Sequence, residues 1–231
     1  MENNSFFSRL DECIARYDLL CHPFYQAWTA GKLTREDLRE YGESYYPHVE
    51  AFPSYLAQLG IRLEEGELRR AVLANMADEK GGEDAWGKPE RSHADLWLDF
   101  VEGMGGTRAP KRQHVREISN LMGYFSELAS EGAPEEALAA FYAYESQVPR
   151  VAREKNCGLR DLYGADEKTR AYFALHATAD VYHSQVWRKQ LEKRVAANPE
   201  AAEKALSAAE GAARKLWEAL DGIEARCMAA A

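Results

Sequence analysis

The chain has 231 residues, long enough to bury a sizeable core as one large domain or two small ones. Its formal charge is −9 with no basic cluster, and phosphate neutralisation demands concentrated Lys and Arg, so the balance speaks against a nucleic-acid binder. No apolar run reaches membrane-spanning length, MENNSFFSRLDE is too polar for a secretory signal, and Cys13, Cys21, Cys157 and Cys227 lack CxxC spacing; a reduced, cytoplasmic protein is expected.

Helical periodicity recurs along the chain. Phe7, Leu10, Ile14, Tyr17 and Cys21 lie three or four apart and mark an amphipathic helix. Gly31 separates the aromatic segment HPFYQAW from the next helix. That helix is announced by Thr34 as N-cap, Glu36 and Asp37 in the first turn, and Leu33 and Leu38 placed as a hydrophobic staple. Its stripe runs Leu38, Tyr41, Tyr45, Val49 and Phe52, with Pro47 and Pro53 expected to kink or divide it. A further helix passes Leu68, Val72, Met76 and Glu79, and the Gly-rich stretch 80–91 reads as a loop.

Helical pattern resumes over 92–104 until Gly105 and Gly106, again over 113–130, and from Pro134 through Leu138, Phe141, Glu145 and Val148 to Pro149. A long helix covers 166–195, and Asn198, Pro199 and Glu200 open a last, Ala- and Glu-rich one. No segment alternates with period two, so the expected fold is all-α, a single bundle of seven or more helices. It divides into a domain over residues 1–195 and an extra helical tail over 196–231, which packs on it or serves a homodimer contact.

Chemistry is expected where polar residues interrupt the apolar faces. His176, Asp180 and His183 stand at i, i+4 and i+7, which at ~100° per residue fall within roughly 60° of one another. An ionised Asp on a buried stripe is costly unless something cationic compensates it. A metal held by His-x3-Asp-x2-His would do so, and a buried His–Asp hydrogen-bonded pair is the equally simple alternative. Glu145, among Phe141, Tyr142 and Val148, and Glu79, following Val72, Asn75 and Met76, add inward carboxylates. A lone inward Glu near a helix end usually just reaches solvent. Carboxylates and histidines converging from several helices are instead how bundles build paired-metal sites. His93, near the start of its helix, is the natural sixth ligand, although alone it would read as a surface or capping histidine. Imidazole and carboxylate without thiolate suit iron and manganese, with zinc compatible on softness grounds. Metal affinity should fall as pH drops through the histidine range, because His176 and His183 must be neutral to ligate.

The strings FYQAW, GKLTREDLREYGESYYPHVEAFPSYL, YESQVPRVAREK and YFALHATADVYH closely resemble those of the family of the chlamydial protein associating with death domains. That family lies within the haem-oxygenase-like di-metal oxidases, which share a fold with thiaminase-like and pyrroloquinoline-quinone-synthase-like proteins; the resemblance spans about residues 5–195. It implies a haem-oxygenase-like fold and the metal ligands Glu79, His93, Glu145, His176, Asp180 and His183. It also implies an iron–iron or iron–manganese pair, oxygen as co-substrate and an external reductant. The Cys nucleophile of a thiaminase-like enzyme has no counterpart.

The resemblance further implies an oxidase that makes para-aminobenzoate for folate synthesis from its own tyrosine, matched by Tyr25 in FYQAW. Lys155, in VAREK, matches the lysine that gives the amino group. An oxidase of an external amino acid or fatty acid, and a non-enzymatic protein-interaction module, are the alternatives. On the residues alone, Lys155 faces the same way as the core residue Val148, seven positions earlier, and would otherwise be a snorkelling lysine at a helix end. Tyr25 alone would be an aromatic core residue. Tyr41, Tyr144 and Tyr172 either fill space or line the pocket and carry radical equivalents. Glu79 and His93 lie farther apart than in the family pattern, which places an insertion in KGGEDAWGKPERS; loops accommodate such insertions at small entropic cost.

Overall fold

The computed structural model describes residues 3–82, 90–109 and 115–230, and every regular element among them is helical. In chain order these are α1 (Asn3–Ala15), a 3-10 turn (Leu19–Cys21), α2 (Pro23–Thr29), α3 (Arg35–Arg62), α4 (Glu67–Lys80) and α5 (His93–Gly103). There follow α6 (Arg116–Ser130), α7 (Pro134–Glu145), α8 (Val148–Asp161), α9 (Glu167–Ala197) and α10 (Ala201–Ala230). The expected all-α bundle is what the chain forms. No helix among the described residues is long and apolar enough to cross a membrane.

Two long helices organise the bundle. α3 packs against α4, α5 and α6, while α9 packs against α5, α7 and α8. Their starts are fixed locally. The Thr34 hydroxyl accepts from Asp37 N and the Asp37 carboxylate accepts from Thr34 N, a full capping box. At α9, the Asp166 carboxylate accepts from Thr169 N. α10 lies along α7, α6 and α1, and it buries Ala205, Ala209, Ala212 and Ala213. Ala137, Ala140 and Ala143 of α7 are likewise buried, and small side chains on both helices allow a close approach.

Three sequence expectations are corrected. α3 runs unbroken past Pro47 and Pro53, so neither proline divides it. Each proline removes one backbone donor, but the apolar stripe on both sides (Tyr45, Val49, Phe52, Leu56) is buried, and that packing outweighs the local loss. The helix through Glu145 does not continue to Val148: α7 ends at Glu145 because Pro149 has no N–H to offer the Glu145 carbonyl. Residues 148–161, left without an element by the sequence pattern, form α8, with Pro149 in its first turn. The expected start at Gln113 lies outside the described residues, and α6 is seen from Arg116.

Candidate metal centre

Four helices bring the ligand-type residues together. α4 presents Asn75 and Glu79 on one face, α5 opens with His93, α7 closes with Glu145, and α9 carries His176, Asp180 and His183 one turn apart. All six candidate ligands are buried. They fall into two clusters, Glu79/His93/His176 and Glu145/Asp180/His183, and within each the donor atoms lie within 4.8 Å of one another.

The position of His93 answers the insertion before it. Gly81 ends α4 in the left-handed region (φ 70°), where a Cβ would collide with the Glu90 carbonyl. Glu90 N then donates to Gly82 O at 2.9 Å, so the two ends of the loop are pinned side by side. The Ser92 hydroxyl caps α5 by accepting from Asp95 N, and His93 enters the core in the first turn. Residues 83–89 of this stretch lie outside those described.

Electrostatics distinguish the clusters. His93 Nδ1 stands 2.9 Å from Glu79 Oε2; burial opposes charge on the imidazole, yet the Glu79 carboxylate beside it raises His93 above the ordinary histidine range. Burial alone would raise Glu79, but the charges of His93, His176 and His183 and the closeness of His93 hold it below the ordinary carboxylate range. His176 is held down, chiefly by burial; its Nδ1 lies 2.8 Å from Tyr172 O, which leaves Nε2 facing the cluster. In the second cluster, burial and then the Asp180 charge push Glu145 well up. Asn75 Nδ2 donates to Glu145 Oε1 at 3.0 Å, and Trp187 Nε1 donates to Oε2. Burial opposes charge on His183, yet the Asp180 hydrogen bond, Glu145 and Asp78 raise it to about 9.

These residues fit a pair of cations. The groups that offset the charge on Glu79 and Glu145 are histidines, an asparagine and the Trp187 indole, with no arginine or lysine among those of the described residues. Buried carboxylates with so little compensation call for something cationic between them. The space between the clusters is a cavity of ≈ 10 Å³ bordered by Glu79, Tyr144, Glu145, Tyr172, His176 and Asp180.

Tyr25 and Lys155 are not among these ligands. Tyr25 lines a neighbouring cavity of ≈ 30 Å³ whose walls also include Tyr41, Tyr45, Trp97, Tyr144 and Tyr172, and Lys155 packs against its ring. Tyr144 and Tyr172 thus border both cavities. Lys155 is 0% exposed, its Nζ has no hydrogen-bond partner among the described residues, and it sits 3.4 Å from the centroid of the Tyr25 ring. Burial drives its pKa well down, so the amine is biased toward its neutral form. The snorkelling alternative is excluded. The hydroxyls of Tyr25 and Tyr41 share a hydrogen bond of 2.8 Å.

Sequence reasoning missed several neighbours. His48 is buried with both ring nitrogens unpartnered among the described residues, ringed by Tyr45, Phe52, Tyr55, Phe125 and Tyr144, and burial pushes it down to about 3. Its place three residues after Tyr45 on the inward stripe was the available signal. Trp187 and Asn75 were legible as inward-facing but not as partners of Glu145. Asp78, on a half-polar turn, gave no signal at all.

The class of protein follows from fold and site: a helical bundle of haem-oxygenase-like fold with a carboxylate–histidine centre buried inside it. A domain of unknown function with a heme oxygenase-like fold from Shewanella denitrificans superposes with a TM-score of 0.78 at 16% identity, over 98% of this chain and 93% of that one. The chain belongs to the family of iron-containing redox enzymes, whose sequence profile matches residues 39–217. A 4-aminobenzoate synthase of Nitrosomonas europaea is 37% identical over 96% of this chain and 92% of that protein. One of Chlamydia trachomatis is 34% identical over 95% and 92%.

Proposed function

We propose that this chain forms 4-aminobenzoate (para-aminobenzoate) from its own Tyr25, that Lys155 gives the amino nitrogen, and that Glu79/His93/His176 and Glu145/Asp180/His183 each hold one metal ion. The reading rests on kinship with the two named synthases and above all on one observation, the neutral-biased, unpartnered Lys155 amine over the Tyr25 ring face. Iron in both clusters, or iron with manganese, would activate oxygen with electrons from an external reductant.

The chain's own residues prepare the reactants. Burial holds the Tyr25 phenol protonated, and the hydrogen bond it shares with Tyr41 Oη fixes the orientation of the ring. Lys155 keeps a lone pair because a charged ammonium is disfavoured where nothing pairs with it. Trp28 closes the amine from the other side, its ring 4.7 Å from Nζ, and excludes water that would compete for the ring. A protein that consumes its own tyrosine and lysine turns over once at most unless repaired.

An external amino acid or fatty acid is a poor alternative substrate. Sites for small molecules enclose roughly 300–1,000 Å³, whereas the cavities beside the ligands and beside Tyr25 measure ≈ 10 and ≈ 30 Å³. The test is an aerobic incubation of iron-loaded protein with reductant and no added aromatic compound. The proposal expects 4-aminobenzoate at no more than one equivalent per chain, and none after His176→Ala or Glu145→Ala, each of which should lose at least one metal ion while staying folded. A requirement for an added amino acid or fatty acid would contradict it.

A further inference from the structure

We infer that Asp78 is the positioning residue of His183, and through it sets the affinity of the Glu145/Asp180/His183 cluster, but not of the other cluster, for a divalent cation. The inference rests on the metal-centre reading above. His183 is 5% exposed and held at both ring nitrogens: Nδ1 lies 3.3 Å from Asp180 Oδ1, and Nε2 lies 3.3 Å from Asp78 Oδ2. The two nitrogens of one imidazole point apart, so a single cation can take only one of them. Nδ1 is the nitrogen that faces Asp180, a member of the cluster. Nε2 must then carry the proton, and Asp78 is the acceptor that keeps it there. A histidine ligand whose second nitrogen donates to a carboxylate is fixed in tautomer and ring orientation, and it binds metal more tightly for it.

The other cluster is arranged differently. His176 donates Nδ1 to a backbone oxygen, Tyr172 O, and turns Nε2 inward. That acceptor is neutral and belongs to the helix itself, so no side-chain substitution removes it. Asp78 by contrast is a charged side chain, 57% exposed, at the edge of a cavity of ≈ 50 Å³ that also touches Asn75, Tyr182, His183 and Trp187. The clusters therefore differ in kind at their outer edge: one histidine is oriented by fixed backbone, the other by a half-exposed carboxylate.

Chain position adds a consequence. Asp78 and Glu79 are consecutive in the last turn of α4, just before the Gly81 cap. Glu79 points into the first cluster while Asp78 reaches around to the histidine of the second. One helical turn thus touches both clusters, and a change at Asp78 separates their properties without altering any of the six candidate ligands.

Titration of purified metal-free protein with Co²⁺, followed by its d–d absorbance, tests this without reference to activity. Wild type should bind two ions per chain. Asp78→Ala should weaken one of them by about 10–100-fold, the range expected when an outer-shell partner of a metal histidine is lost, and leave the other unchanged. Asp78→Asn, which keeps an acceptor oxygen without the charge, should recover part of the loss. The unfolding midpoint of the metal-free protein should move little, because Asp78 is more than half exposed and its pair with His183 is screened by solvent. Two ions bound by Asp78→Ala with wild-type affinity, or both weakened equally, would overturn the inference while sparing the metal centre. A wild type that fails to bind two ions would overturn both.

Discussion

The Lys155 amine lies 3.4 Å from the centroid of the Tyr25 ring and meets no hydrogen-bond partner among the described residues. A buried donor left unsatisfied costs about 1–3 kcal/mol, so Lys155→Met, which keeps the stem and drops the amine, should raise stability by about that amount and abolish product. The pH dependence carries the same signature. Lys155 has a folded pKa far below its unfolded value, so the unfolded chain binds the extra proton and this residue makes stability rise with pH toward ~10.4. Denaturant midpoints across that range should show the slope in wild type and a smaller one in Lys155→Met. A variant less stable than wild type would mean that the amine has a partner in solution.

His183 moves the expected pH window for metal binding. From sequence, affinity was expected to fall through the ordinary histidine range, with His176 and His183 acting alike. The structure separates them, because burial holds His176 down while Asp180, Glu145 and Asp78 raise His183 to about 9. A cation entering the second cluster must displace that proton up to about pH 9. Its affinity should therefore climb about tenfold per pH unit between 7 and 9, whereas in the first cluster His176 imposes no such competition and the proton to displace is that on His93, which, against the effect of burial, Glu79 holds above the ordinary histidine range. Metal titration at three pH values checks this, and two flat affinities over that interval would contradict it.

Among the elements, α3 carries Tyr41, Tyr45 and His48 to the centre, and its entry angle depends on the Thr34–Asp37 capping box. Thr34→Ala should cost about 1 kcal/mol of stability and leave metal stoichiometry unchanged, because the cap is exposed and remote from the ligands; thermal unfolding and metal analysis together read both. How far sequence reaches depends on whether a feature is local. The Thr34 cap and the i, i+4, i+7 set of α9 are one-helix properties, and both were visible as spacing. The α7–α8 break turns on Pro149 depriving Glu145 of a donor, an effect that apolar periodicity does not register. The return of His93 to Glu79 needs the Gly81 cap and the Gly82–Glu90 bond, a contact across a loop that no spacing rule encodes. Continuity of α3 through Pro47 and Pro53 is decided by burial, which only the folded bundle defines.

At the scale of the whole molecule, α4, α5, α7 and α9 enclose the ligands, and Tyr144 and Tyr172 form a wall between that cavity and the one that holds Tyr25. Both cavities are far smaller than a small-molecule site, as the proposed use of the chain's own tyrosine requires. α10 lies against α7, the helix that ends at Glu145, so the C-terminal helix supports the centre from outside. The most direct measurement uses protein grown with ring-deuterated tyrosine and ¹⁵N-ε-labelled lysine, metal-loaded, reduced and exposed to oxygen with no other substrate. The released 4-aminobenzoate should carry both labels, and peptide mass analysis should place the lost mass at Tyr25 and the altered lysine at Lys155. Tyr25→Phe should bind metal normally and release none. Unlabelled product, or a normal yield from Tyr25→Phe, would contradict the account and assign the ring to a source outside Tyr25.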